Sequence, residues 1–180
     1  MTVVLHGPRV TLRPWRADDF DALAALNADP RVMQHFPQPL TPEESAAMVG
    51  RMRAAIDARG WGNWAVEVDG RCIGFAGLSV PTFDAHFTPC TEIGWRLAFD
   101  AWGRGYATEA ARLALAYGFA LVGLAEIVSF TATSNRRSMA VMQRIGMSHD
   151  PADDFDHPRL PGHRLQRHVL YRLRRTDWRP

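Results

Sequence analysis

The chain has 180 residues, 47% of them hydrophobic, enough apolar material for one packed core, and residues 1–180 are read as a single domain. All 21 basic residues are Arg, they exceed Asp plus Glu by only two (21 against 19), and the charges are interspersed, so nucleic acid is excluded as a default partner. No segment is apolar for long enough to span a bilayer, and Met1 to His6 has no basic region ahead of an apolar run, which points to a soluble, cytoplasmic protein without a membrane partner.

Val10-Thr11-Leu12, flanked by Arg9 and Arg13, suits a short first strand, and a helical pattern begins with Asp18, Asp19, Phe20, Leu23 and Ala24. Beyond the breaker Asp29-Pro30, Thr41-Pro42-Glu43-Glu44 predicts a second helix: Thr41 caps, Pro42 takes the first helical position and Glu44 reaches back in a capping box. Strands over Trp64–Val68 and Cys72–Leu78 flank Asp69-Gly70-Arg71, whose Asp-Gly pair is a hairpin signal. A third strand is expected over Glu92–Leu97, followed by a Gly-rich turn and a helix with Ala110, Leu113, Tyr117 and Leu121 on one face. Ile127–Thr131 is rich in β-branched residues and reads as a buried strand, after which Ser134 or Asn135 caps a helix carrying Val141, Met142 and Ile145. From His149 to His168 the chain is rich in Pro, Asp and His, which predicts a loop before a last strand over Val169–Leu173. The fold class is therefore α+β with a mixed sheet.

The chemistry lies in Gly103-Arg104-Gly105-Tyr106-Ala107-Thr108-Glu109-Ala110. A helix N-terminus presents unpaired N–H groups and partial positive charge, so it binds anions without a lysine. Gly103 and Gly105 let the backbone approach a diphosphate closely, and Arg104 adds a charge-assisted contact. A nucleoside-triphosphate loop would need Gly-Lys-Ser/Thr, which is absent, and a dinucleotide fold would place its Gly-rich turn after an early parallel strand.

Trp102 to Ala110, the preceding Glu92–Leu97, and Asn135-Arg136-Arg137-Ser138 with Gly146-Met147 together resemble the GNAT superfamily of acyltransferases. Within it they look most like the branch that includes the ribosomal-protein alanine N-acetyltransferases. Asp29–Met33 and Pro39-Leu40-Thr41 are similar to that branch's helix-loop-helix near the substrate, so the resemblance covers nearly the whole chain. One departure is Trp102 at the first position of the superfamily's Gln/Arg-x-x-Gly-x-Gly/Ala pattern.

The resemblance implies a three-layer α/β/α fold whose mostly antiparallel sheet splays at an acyl-CoA site. It implies acetyl-CoA as co-substrate, no metal, and an acceptor amine on a small molecule or a protein N-terminus; a homodimer is compatible with the branch. Trp95, Arg96 and Leu97 would line the pantetheine arm, with a backbone N–H of their strand at the thioester oxygen. Trp102, Gly103, Arg104, Gly105, Tyr106, Ala107 and Thr108 would hold the diphosphate. Asn135 would contact the pantetheine amides and Ser138 would lie near the sulfur. Glu92 is the candidate base, directly or through water, and His35-Phe36 falls in the loop of the family's acceptor pocket. The Tyr that many members carry as general acid is missing between Asn135 and Ile145, leaving Ser138 or water for that step. The missing Tyr also motivates an alternative reading, a non-catalytic acyl-CoA-binding or sensor domain. The remaining polar clusters, including His149, His157, His163 and His168, lack metal-ligand spacing.

Overall fold

The computed structural model describes residues 3–179. In chain order the elements are β1 (Leu5–His6), β2 (Thr11–Arg13), α1 (Asp19–Ala28), α2 (Pro42–Arg59), β3 (Asn63–Val68), β4 (Arg71–Ser79) and β5 (Glu92–Leu97). There follow α3 (Tyr106–Ala116), β6 (Glu126–Ala132), α4 (Arg136–Arg144), β7 (Ser148–His149), β8 (Phe155–Asp156) and β9 (Arg167–Arg174). The strands form one sheet in the order β1-β2-β3-β4-β5-β6-β9-β7, with β8 also on β9. Every pairing is antiparallel except that of β5 with β6.

Local chemistry accounts for the best-defined boundaries. Thr41 accepts a hydrogen bond from the Glu44 N–H at 3.2 Å while Glu44 accepts the Thr41 N–H at 2.8 Å, a reciprocal cap that starts α2. Asp69 and Gly70 both have positive φ (50° and 76°), the backbone that a two-residue hairpin turn demands between β3 and β4. Asn135 rather than Ser134 caps α4, its Oδ1 accepting the Ser138 N–H at 3.2 Å.

Alternation along β3 and β4 sends side chains to two cores. Trp64, Val66, Ala76 and Leu78 pack with α3 and α4 residues such as Ala110, Ala114 and Met142. Ala65 and Phe75 face the other way, onto Leu23 and Leu26 of α1 and Met52 of α2. Helices therefore cover both faces of the sheet, the expected three layers. Among the described residues no helix is long and apolar enough to cross a membrane.

The structure corrects the reading of the third helix. After Ala116 the chain makes a π-helical turn, Tyr117–Val122, which carries more residues per turn and rotates the following side chains out of phase. Leu121, expected on the buried face, is 74% exposed, while Ala111 and Leu115 join Ala110 in the core. The segment from His149 to His168 is also less irregular than expected, since its Phe155 and Asp156 form β8 against His168 and Arg167.

Candidate active site

The site begins where β5 and β6 part. Their parallel pairing is limited to Glu92 opposite Val128, where the Val128 N–H donates to the Thr91 carbonyl at 2.9 Å. One residue further on, the Ser129 hydroxyl donates to the Ile93 carbonyl at 2.8 Å, clipping the strands side chain to backbone. Beyond that point the strands diverge, β5 remaining on β4 and β6 remaining on β9. The gap opens into a cleft of about 970 Å³.

Strand alternation assigns the groups along the gap. The carbonyls of Thr91, Ile93 and Leu97 all bond toward the β6 side, the last accepting the Trp102 indole N–H at 2.8 Å. The backbone of Trp95 has the same phase, so its N–H also faces the gap. The Trp95 and Leu97 side chains pack on the α3 side of the sheet. Glu92 and Arg96 lie on the opposite face, toward α1 and α2, with Gly94 between them.

One wall of the cleft is the α3 turn. Gly103 and Gly105 adopt φ of 75° and 83°, in the left-handed region, and a Cβ on Gly103 would meet no atom within 4 Å. No side chain caps α3, unlike α2 and α4, and Tyr106, Ala107 and Thr108 of its first turn line the cleft. The turn is braced from behind. The Glu109 carboxylate accepts the N–H groups of Arg9 at 2.7 Å and Val10 at 3.0 Å, and pairs with the Arg9 guanidinium at 2.8 Å. Burial pushes the Glu109 carboxyl up, but these donors outweigh it and hold it below its ordinary value. Arg9 also donates to the Arg104 carbonyl at 2.8 Å. The Arg104 side chain does not line the cleft, whereas Arg137, at the start of α4, does, with its guanidinium 4.8 Å from the centre of the Trp102 ring.

Asn135 and Ser138 reach the cleft from α4. The Asn135 amide is committed at both ends, capping α4 and donating to the Thr131 hydroxyl at 2.9 Å. The cleft wall nearest α1 and α2 carries His35 and Phe36 from the loop between those helices. His35 shares a 3.2 Å hydrogen bond with the Ser134 hydroxyl, and the Gln34 carbonyl accepts from Arg164, so that loop is tied down at two points. Burial, then the charge of Arg164, lowers the His35 pKa.

Among the described residues Glu92 is the only acidic one on the cleft wall. The Ser79 hydroxyl donates to it at 3.2 Å, but burial dominates and pushes its carboxyl up to about 8. It is half-buried by surface area, and what exposure it keeps is through the cleft. Burial lowers Arg96 to about 10, leaving it a cation at neutral pH. Its Nη1 donates to the Asn27 amide oxygen at 2.7 Å, and its guanidinium stands 3.9 Å from the centre of the Phe36 ring. Phe75, Asn27 and Ser79 were not foreseen as site residues. The signal available for Phe75 and Ser79 was their register on β4 opposite Arg96 and Glu92.

A sheet opened at the carboxyl ends of two parallel strands, with an uncapped helix start beside the gap, defines a scaffold for acyl transfer from an anionic, extended donor. The chain belongs to the GNAT family of acetyltransferases: the family model described as "Acetyltransferase (GNAT) domain" matches residues 9–148. It is 33% identical to the FsC-acetyl coenzyme A-N(2)-transacetylase of Aspergillus fumigatus, over 97% of this chain and 77% of that protein. Among solved structures, a GNAT acetyltransferase from Bacillus anthracis superposes with a TM-score of 0.81 at 24% identity, covering 97% of this chain and 100% of the other. A ribosomal-protein-S5-alanine acetyltransferase from Vibrio fischeri superposes with a TM-score of 0.74, covering 99% of this chain and 100% of the other. At 16% identity it shows the fold alone, so these relatives support the superfamily and not the ribosomal-protein alanine branch.

The family takes acetyl-CoA as co-substrate, and the residues present fit it. The uncapped N–H groups of α3 and the open space over Gly103 suit a diphosphate, and the parted strands leave backbone edges free for an extended amide-bearing arm.

Proposed function

We propose that the protein transfers an acetyl group from acetyl-CoA to a primary amine, on a small molecule or a peptide N-terminus, by direct attack in a ternary complex. The described chain is read as one catalytic domain. The observation that carries the proposal is Glu92: a carboxyl pushed up to about 8, the one acid among the described residues of the cleft wall, beside the point where β5 and β6 part. Such a group is ionised often enough at neutral pH to accept a proton and basic enough to do so usefully. The name of the Aspergillus relative, which specifies acetyl coenzyme A and a nitrogen acceptor, agrees with this reading.

Bound acetyl-CoA supplies the activated acyl carbon and a thiolate leaving group. Tyr106, Ala107 and Thr108 hold the diphosphate with backbone N–H groups, and Arg137 adds positive charge. Trp95 and Leu97 line the pantetheine arm, while Asn135 fixes the start of α4 beside it. Glu92 removes the amine proton, directly or through one water. The Trp95 N–H faces the gap and stabilises negative charge developing on the acyl oxygen, the kind of fixed donor worth about 3 kcal/mol. Ser138, whose hydroxyl bonds to no other described residue, is the proton donor toward the sulfur. A covalent route through cysteine is disfavoured, because neither Cys72 nor Cys90 lines the cleft and burial pushes both thiols up to about 11.

An amine screen with acetyl-CoA, read by free thiol release, tests the proposal. Acceptor-dependent thiol release with a matching mass gain on the acceptor is expected. Tight acetyl-CoA binding with no transfer across amines and N-terminal peptides would replace it with the sensor reading that the Tyr-free α4 favours.

A further inference from the structure

Arg96 is a largely buried cation that has no anionic partner among the described residues. Its Nη1 is taken by the neutral Asn27 amide at 2.7 Å and the Met48 sulfur at 3.9 Å. Its Nε is shielded from water and bonds to no described residue, and Nη2 on the same edge bonds to none either. The guanidinium lies over Phe36 at 3.9 Å and is 5.4 Å from the centre of the Phe75 ring, which fixes its plane against the cleft wall. Leaving a buried guanidinium edge unpaired costs on the order of 1–3 kcal/mol or more.

The Nε–Nη2 edge holds a carboxylate elsewhere in this chain. Arg31 bonds Asp29 through Nε at 3.0 Å and Nη2 at 2.6 Å, and Arg172 bonds Asp153 through the same two nitrogens at 2.7 and 3.3 Å. Two parallel N–H groups match the two oxygens of a carboxylate. In Arg96 the Nε corner of that edge is closed to water, and Nη2 is the nitrogen left without a described partner at the cleft wall.

Its place on β5 adds the second half. Glu92, Gly94 and Arg96 point to one face, and an ideal Cβ on Gly94 would find only the Glu92 Oε1, at 3.9 Å, within 4 Å. The floor between the two charged side chains is therefore open. The Cα atoms at its ends are four residues apart, roughly 13 Å along the strand. A protonated amine drawn toward Glu92 on this face also meets the Arg96 cation, and an anion carried by the acceptor offsets that second charge.

We infer that the acceptor is an amine that also carries a carboxylate, and that Arg96 binds the carboxylate while Glu92 serves the amine. The inference rests on the acyl-transfer reading and narrows its substrate class to amino-acid-like or short peptide acceptors with a free carboxyl group. It also moves Arg96 from the donor arm, where the family resemblance had put it, to the acceptor.

Matched acceptors test it: ω-amino acids and short peptides as free acids, each against its carboxamide, so that the amine keeps a similar basicity. Wild-type enzyme should prefer the acid at least tenfold in kcat/KM, with the difference mostly in KM, and the same acids should bind the enzyme–CoA complex in calorimetry. Arg96→Gln should abolish the preference and the binding, and Arg96→Lys should recover part of both, since a point charge replaces the fork. Equal use of acid and amide by the wild-type enzyme overturns the inference, as does a preference that survives in Arg96→Gln. That wild-type comparison stands even if a variant folds poorly. Acids that bind through Arg96 without any transfer would support the inference and sink the transferase reading. Acids that neither bind nor react would overturn the inference.

Discussion

The two sides of the cleft are built from different materials. On the proposed donor side the groups offered for recognition are backbone: N–H groups of an uncapped helix, two glycines in left-handed conformations and a strand edge freed by the parting of β5 and β6. On the proposed acceptor side they are side chains, Glu92, Arg96, His35 and Phe36, from elements far apart in sequence. A backbone site suits a donor that never changes. A side-chain site can be altered one residue at a time without disturbing the fold.

Five substitutions at four positions would break or sharpen that contrast. The largest effect is expected for Glu92→Gln, which should lower kcat by about 10²–10⁴-fold while leaving acetyl-CoA affinity unchanged in a binding titration. Wild-type kcat/KM should rise with pH through about 8, as the carboxyl ionises, and the variant should lose that rise. Stability should show the opposite trend. The folded carboxyl titrates near 8 against an ordinary 4.5, so its contribution is complete below about 4.5 and lost as pH rises through about 8. Glu92→Gln should accordingly melt higher than wild type at pH 9 and show little advantage at pH 5.

Gly105→Asp tests the donor side, since it places a carboxylate beside the uncapped N–H groups of α3. A tenfold to hundredfold weaker Kd for CoA is expected; unchanged affinity would remove the turn from the site. Gly105→Ala separates charge from shape, because its Cβ would stand 3.2 Å from the Arg9 Nη2 that pairs with Glu109, with no added carboxylate. Glu109→Gln should cost about 1–3 kcal/mol, read as a fall in Tm, by weakening the brace behind the turn without touching the acceptor wall. The smallest effect should come from Thr41→Ala, about 0.5–2 kcal/mol in stability with turnover nearly intact, since its capping box lies outside the cleft.

The same contrast explains what was legible in the sequence. The turn at Gly103 to Ala110, the Thr41 capping box and the Asp69-Gly70 hairpin depend on residues within a few positions of each other, so their chemistry is written locally. The surroundings of Arg96 are not. Asn27 is 69 residues away from it in sequence, and Phe36 and Phe75 arrive on different elements, so only the folded chain shows a cation without an acid. The phase error at Leu121 has a different origin, for a π-helical turn leaves no mark in a hydrophobic pattern assumed to repeat every 3.6 residues. Strands of two residues, such as β1, β7 and β8, are too short to display any period.

The Ser129 clip marks where the opening of the sheet begins. On one side of it the strands are bonded; on the other they are apart. The gap between β5 and β6 therefore starts at a hydroxyl–carbonyl bond, the most advanced link between the two strands among the described residues. Ser129→Ala would remove this bond while taking away a single oxygen, which leaves the last contact between the two strands to the backbone bond from Val128 to Thr91.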